Sequence, residues 1–124
     1  MLKDNGCLVY YDTVWQPLPV RLNAFTSDFS GGTSVTVRWQ TATETDNVGF
    51  ELLGRVDGDW RPLGEFIASK DMNSALPQDY ETEVFLPAGL TALELVDYST
   101  RGRSERFGPF QPGASYGEFQ EARR

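Results

Sequence analysis

Short runs of alternating apolar and polar residues, parted by Gly, Pro, Asp, Asn and Ser, fill the middle of the chain. No long stretch repeats its apolar positions with a helical period of about 3.6 residues. Val35, Val37 and Trp39 alternate with Ser34, Thr36, Arg38 and Gln40, which predicts a strand with one buried and one wet face. Val48, Phe50, Leu52 and Val56 alternate in the same way with Gly49, Glu51, Arg55 and Asp57, and Leu53 breaks the pattern on the polar side. Between these two strands, Thr41 to Asn47 is longer than a tight hairpin and suits a loop that crosses from one sheet to another. Asp57-Gly58 carries the positive-φ chemistry of a hairpin turn, so Trp60 to Ile67 reads as the returning strand. Pro62 cannot donate to a ladder, which places that strand at an edge.

Ala68 to Pro77 is small, polar and interrupted, hence a loop. Tyr80 to Leu86, Thr91 to Tyr98 and Ser104 to Phe110 read as three more strands, with Pro87-Ala88-Gly89 and Ser99 to Gly102 as turns. Val20 to Ser27 is the first. Seven short strands in about 90 residues, without a helix, predict an all-β sandwich of the immunoglobulin or fibronectin type III kind. The expected organisation is an apolar arm or linker over residues 1–19, the sandwich over 20–110, and a tail over 111–124 with room for one helical turn. Pro17-Leu18-Pro19 is a stiff connector between arm and sandwich.

Composition narrows the chemistry. A chain of 124 residues, 40% apolar and 13% aromatic, holds one core and is too short for two ordinary domains. The net charge of −7 argues against a nucleic-acid partner, because phosphate contacts need clustered Lys and Arg. Arg101, Arg103 and Arg106 come nearest to such a patch and read as a solvated turn. There is no histidine, which removes His-dependent nucleophile systems and the commonest zinc and iron ligand. Cys7 is the single cysteine, so no internal disulfide or thiolate cluster is expected. No segment has the length of a bilayer span or the apolar core of a signal peptide, and membrane insertion is not expected.

Pro17-Leu-Pro-Val-Arg-Leu-Asn-Ala-Phe-Thr26, then Val37-Arg-Trp-Gln-Thr-Ala-Thr-Glu-Thr-Asp-Asn-Val-Gly-Phe50, then Pro87-Ala-Gly89 and Val96-Asp97, carry a resemblance that covers most of the chain. It resembles the fibronectin type III-like modules of large secreted and surface bacterial proteins, which often read LPVxLxxFxA, WxTAxExxNxxF and a late VDxxG. The resemblance implies a bacterial, extracellular or cell-surface setting, protein partners such as neighbouring domains or subunits, and a Thr-Ala-x-Glu loop kept as scaffold.

Two readings of that loop follow. Glu44, Asp46 and Asn47 are the weak candidates for calcium, although Ca²⁺ takes about six to eight oxygens and the loop lacks the Asp-x-Asp-x-Asp-Gly rhythm. As scaffold, the threonines bond neighbouring backbone, Asp46 or Asn47 makes an Asx turn, and Glu44 accepts backbone N–H groups or pairs with an arginine. Trp39 and Phe50 are expected in the core. Leu8, Tyr10, Tyr11 and Trp15 of the arm are the candidate interaction residues, able to join a neighbour by strand addition. Exposed rings, Trp60 among them, leave carbohydrate binding as a further alternative. The expectation is a non-catalytic structural or interaction module with no cofactor. A glycosidase would need only two carboxylates, but a sandwich without an evident cleft does not favour one.

Overall fold

The computed structural model of the protein describes residues 20–29 and 32–120. The arm residues Leu8, Tyr10, Tyr11 and Trp15 lie outside them. The strands are β1 (Val20–Phe29), β2 (Ser34–Glu44), β3 (Asn47–Val56), β4 (Asp59–Pro62), β5 (Ile67–Ala68), β6 (Gln78–Phe85), β7 (Leu90–Ser99), β8 (Ser104–Phe110) and β9 (Ser115–Gly117). Among the described residues there is no helix. Two antiparallel sheets result, one ordered β6-β2-β1-β9 and the other β4-β3-β7-β8, with β5 also pairing with β3.

The alternation places the core. Val35, Val37 and Trp39 from β2, Phe25 from β1, and Leu52, Leu93 and Leu95 from β3 and β7 are all fully buried between the sheets. Trp39 stacks on Tyr80 at 5.5 Å, and Phe50 meets both rings edge-on at 5.4 and 4.9 Å. Phe25 stacks on Phe110 at 3.9 Å in a second aromatic cluster. Each such side chain contributes roughly 1.5–3 kcal/mol by leaving water. Trp39 and Phe50 are therefore core residues.

The element list differs from the sequence expectation in four places. Among the described residues nine strands stand where seven were expected, because the stretch Trp60 to Ile67 divides into β4 and β5 and because Ser115–Gly117 adds β9. β4 ends at Pro62, on the sheet edge; Leu63 N still donates to Leu52 O at 2.8 Å, and the next strand begins at Ile67. At the β3–β4 hairpin, Asp57 and Gly58 take φ 54° and 87°, the two positive values of a two-residue turn.

Thr41 to Asn47 is hardly a loop. β2 runs on to Glu44 and β3 starts at Asn47, so Thr45 and Asp46 alone carry the chain from one sheet to the other. Asp46 adopts φ 54°, a left-handed conformation that Asp tolerates better than most residues. β1 likewise extends past Ser27 to Phe29.

Residues 111–120 are not a helical or loose tail. Ser115–Gly117 pairs with Thr26, Phe25 and Ala24 of β1, and the Tyr116 ring lies 4.9 Å from Phe110. Gly117, at φ 70°, is required there, since any side chain would drive into the carbonyl of Asn23. The segment then reaches Gln40, which was assigned to the wet face and is 1% exposed. Gln40 Nε2 donates to Gln120 O (2.7 Å) and to Asp79 Oδ1 (2.9 Å). Its Oε1 accepts from Gln120 N (2.9 Å) and Asn23 Nδ2 (2.8 Å). The amide thus acts as a short extra rung of β ladder, and the sandwich extends beyond residue 110.

Candidate functional site

One of the two irregularities in the β1–β2 ladder determines where Glu44 points. Between the pairs Leu22↔Thr41 and Arg21↔Thr43, β2 carries one residue more than β1. A bulge of this kind switches the face on which the following side chains lie. Val35, Val37, Trp39 and Thr41 face the core, and past Ala42 the inward position passes to Glu44, which is 2% exposed.

The Glu44 carboxylate accepts four hydrogen bonds. Thr41 Oγ1 (2.9 Å) and Tyr80 OH (2.7 Å) donate to Oε2. Asn47 Nδ2 (3.0 Å) and Ser69 Oγ (2.6 Å) donate to Oε1. The donors come from β2, β3, the segment after β5, and β6, so one side chain ties together both sheets and the long connection to β6. The backbone joins in, with Glu44 N on Ser74 O at 2.9 Å and Ser74 N on Glu44 O at 2.8 Å. Among the described residues no cation pairs with this carboxylate. Burying an anion costs several kcal/mol, and four charge-assisted bonds offset that cost.

Tyr80 takes part as a phenol. Burial, with Glu44 alongside, pushes its hydroxyl up to about 12, so it stays a donor at neutral pH while accepting the Lys70 N–H at 3.0 Å. Glu44 is a scaffold acceptor with other partners than expected: among the described residues, hydroxyl and amide side chains donate to its carboxylate in place of backbone N–H groups or an arginine.

The three calcium candidates are all engaged, two of them with each other. Both Glu44 oxygens hold two donors each. The Asp46 carboxylate lies 3.6 Å from Arg101 Nε, and its backbone N–H bonds Asn73 Oδ1 at 2.8 Å. Asn47 gives its Nδ2 to Glu44 and its backbone N–H to Met72 O at 3.0 Å. Among the described residues, no three of the ligand types Cys, Asp and Glu gather within reach of one ion. Millimolar Ca²⁺ is therefore expected to leave the melting temperature unchanged within about 1 °C, because a ligand of the folded state must raise it by mass action. A saturable rise that Asp46→Ala abolishes would overturn the scaffold role.

Trp60 is half-buried, and the Arg106 guanidinium lies over its ring at 5.7 Å while bonding Glu94 at 2.6 Å. That ring face is taken rather than offered to a sugar. A cleft of about 760 Å³ opens beside edge strand β6, lined by Ile67, Lys70 and Phe119 together with Arg38, Asp79 and Glu81. Its charges are mixed and in part mutually paired, with Arg38 Nε on Glu81 at 3.1 Å. Ser69, Tyr80 and Gln40 were not singled out by the sequence. A tyrosine at an inward position of β6 signals a buried hydroxyl in need of a partner, but nothing local names that partner.

Comparison with protein-family models, curated proteins and solved structures finds no match to this chain.

Proposed function

We propose that the chain is a non-catalytic, fibronectin type III-like structural or interaction module of a bacterial exported or surface-associated protein. The observation that carries this reading is the use made of Thr41, Glu44 and Asn47. The most site-like polar group of the sequence spends its hydrogen-bonding capacity on holding its own scaffold. Strand order supports the same reading. An immunoglobulin constant-type sandwich sets its first, second, fifth and fourth strands in one sheet against the third, sixth and seventh. Here β1, β2 and β6 lie in one sheet and β3, β7 and β8 in the other, while β4 hydrogen-bonds to β3 instead of β6. The sequence resemblance and the missing histidine add to it.

A second reading is an assembly subunit that joins neighbours by strand addition through residues 8–15. β6, eight residues long, stands last in its sheet among the described residues and lies beside the cleft, which favours it. Deleting residues 1–16 separates the two. A truncated protein that stays folded but runs smaller in light scattering supports the assembly subunit. Unchanged size and stability support the spacer module, and loss of folding would place the arm in the core and sink both. Titration with soluble glycans tests the carbohydrate alternative: a saturable rise in melting temperature that Trp60→Ala removes would replace the proposal by a sugar-binding one.

A further inference from the structure

Asp97 of β7 and Glu105 of β8 are register partners, directly opposite each other. Asp97 is 1% exposed, and Glu105 is half-buried. Among the described residues, Asp97 Oδ1 and Glu105 Oε1 are both buried without a hydrogen-bond partner. Two facing anions with bare, desolvated oxygens form an unfavourable arrangement. One proton resolves it, because a protonated carboxyl becomes a donor to the carboxylate across the ladder.

The groups around the pair do not supply a better solution. Glu44 of β2 adds negative charge, and Phe50 of β3, paired with Asp97, brings none. Asn47 of β3 commits its Nδ2 to Glu44, and its Oδ1 itself lacks a donor among the described residues. Arg103 in the β7–β8 turn pulls Glu105 downward, against the upward push of burial. Burial first and the Glu105 charge second push Asp97 up to about 7, although backbone N–H groups of Glu105 and of Asp97 itself oppose the shift.

We propose that Asp97 and Glu105 hold one shared proton in the folded protein, and that its loss as the solution passes from mildly acidic to mildly alkaline loosens the end of the sandwich that Glu44 ties together. An aspartate in the unfolded chain ionises near about 3.9. At pH 5.5 the folded protein therefore keeps a proton that the unfolded chain has released. The stability gained this way is present at acidic pH and is lost as the pH rises through about 7.

The test is thermal unfolding from pH 5.5 to 8.5, with the carboxyl carbons of Asp97 and Glu105 followed by NMR. The expected fall in melting temperature is roughly 5–10 °C, with both carboxyls titrating as a coupled pair. Asp97→Asn supplies a permanent amide donor to Glu105 and should flatten the profile, and Glu105→Gln should weaken its slope. A flat wild-type profile, or an Asp97→Asn profile as steep as wild type, overturns the proposal. So does a saturable stabilisation by Ca²⁺ at pH 8.5 that Asp97→Asn removes, which would make the pair a cation site. Should Asp97→Asn fail to fold, Glu105→Gln and the wild-type carbon titration still decide.

Discussion

Glu44→Ala is expected to destabilise the protein by about 4 kcal/mol, a large share of the roughly 5–15 kcal/mol that holds a domain of this size together. The side chain is buried, and its removal strands four donors: Thr41 Oγ1, Tyr80 OH, Asn47 Nδ2 and Ser69 Oγ. Each hydrogen bond to a charged group is worth about 1.5–3 kcal/mol, and a stranded buried donor costs about 1–3. The sum is discounted because Ser69 is only partly buried and hydroxyls can rotate toward other acceptors. Glu44→Gln should cost less, since one oxygen remains and only the donors facing the new NH₂ clash with it. Urea unfolding of the two variants measures both effects. Losses below about 1 kcal/mol for Glu44→Ala would mean that the connection from β5 to β6 is held by something else. Hydrogen exchange locates the damage: amides of Glu44, Asn47 and Ser74 should lose protection before those of the Trp39 region.

The sheets were legible because period-two alternation is a property of neighbouring residues. Val35, Val37 and Trp39 declare the inner face of β2 without reference to any other strand, and Asp57-Gly58 declares its hairpin in the same local way. Glu44 was not legible in the same sense. Counting by twos from Trp39 places it on the wet face, and only the extra residue opposite the β1 ladder turns it inward. A bulge is a relation between two strands, and neither strand alone records it. The pairing of residues 111–120 was hidden for a related reason. Their Pro112, Gly113 and Gly117 look like a loose tail, yet Gly117 is what allows close approach to Asn23, and Gln40 receives Gln120 eighty positions away. Asp97 was visible only as part of a motif, because its meaning depends on Glu105 standing opposite.

Trp39→Ala is expected to cost about 3–5 kcal/mol, the range for emptying a large aromatic from a packed interior. Trp39 is fully buried, stacked on Tyr80 and met edge-on by Phe50, so its removal opens a cavity at the centre of the aromatic cluster that joins the two sheets. The neighbours cannot collapse freely into that space. Tyr80 is tethered through its hydroxyl to Glu44 and Lys70, and Phe50 is anchored in the β3–β7 ladder. Trp39→Phe should behave quite differently. Among the described residues the indole Nε1 is buried without a partner, a burden of about 1–3 kcal/mol that phenylalanine removes. The lost volume and the relieved N–H then oppose each other, and a net change within about 1.5 kcal/mol is expected. Denaturant unfolding of both variants decides the matter. Should Trp39→Ala shift the stability by less than about a fifth of its expected cost, Trp39 would not be core and the register of β2 would be wrong. A Trp39→Phe loss as large as that of Trp39→Ala would show that the indole N–H has an acceptor after all, and that the tryptophan is held by its nitrogen as much as by its ring.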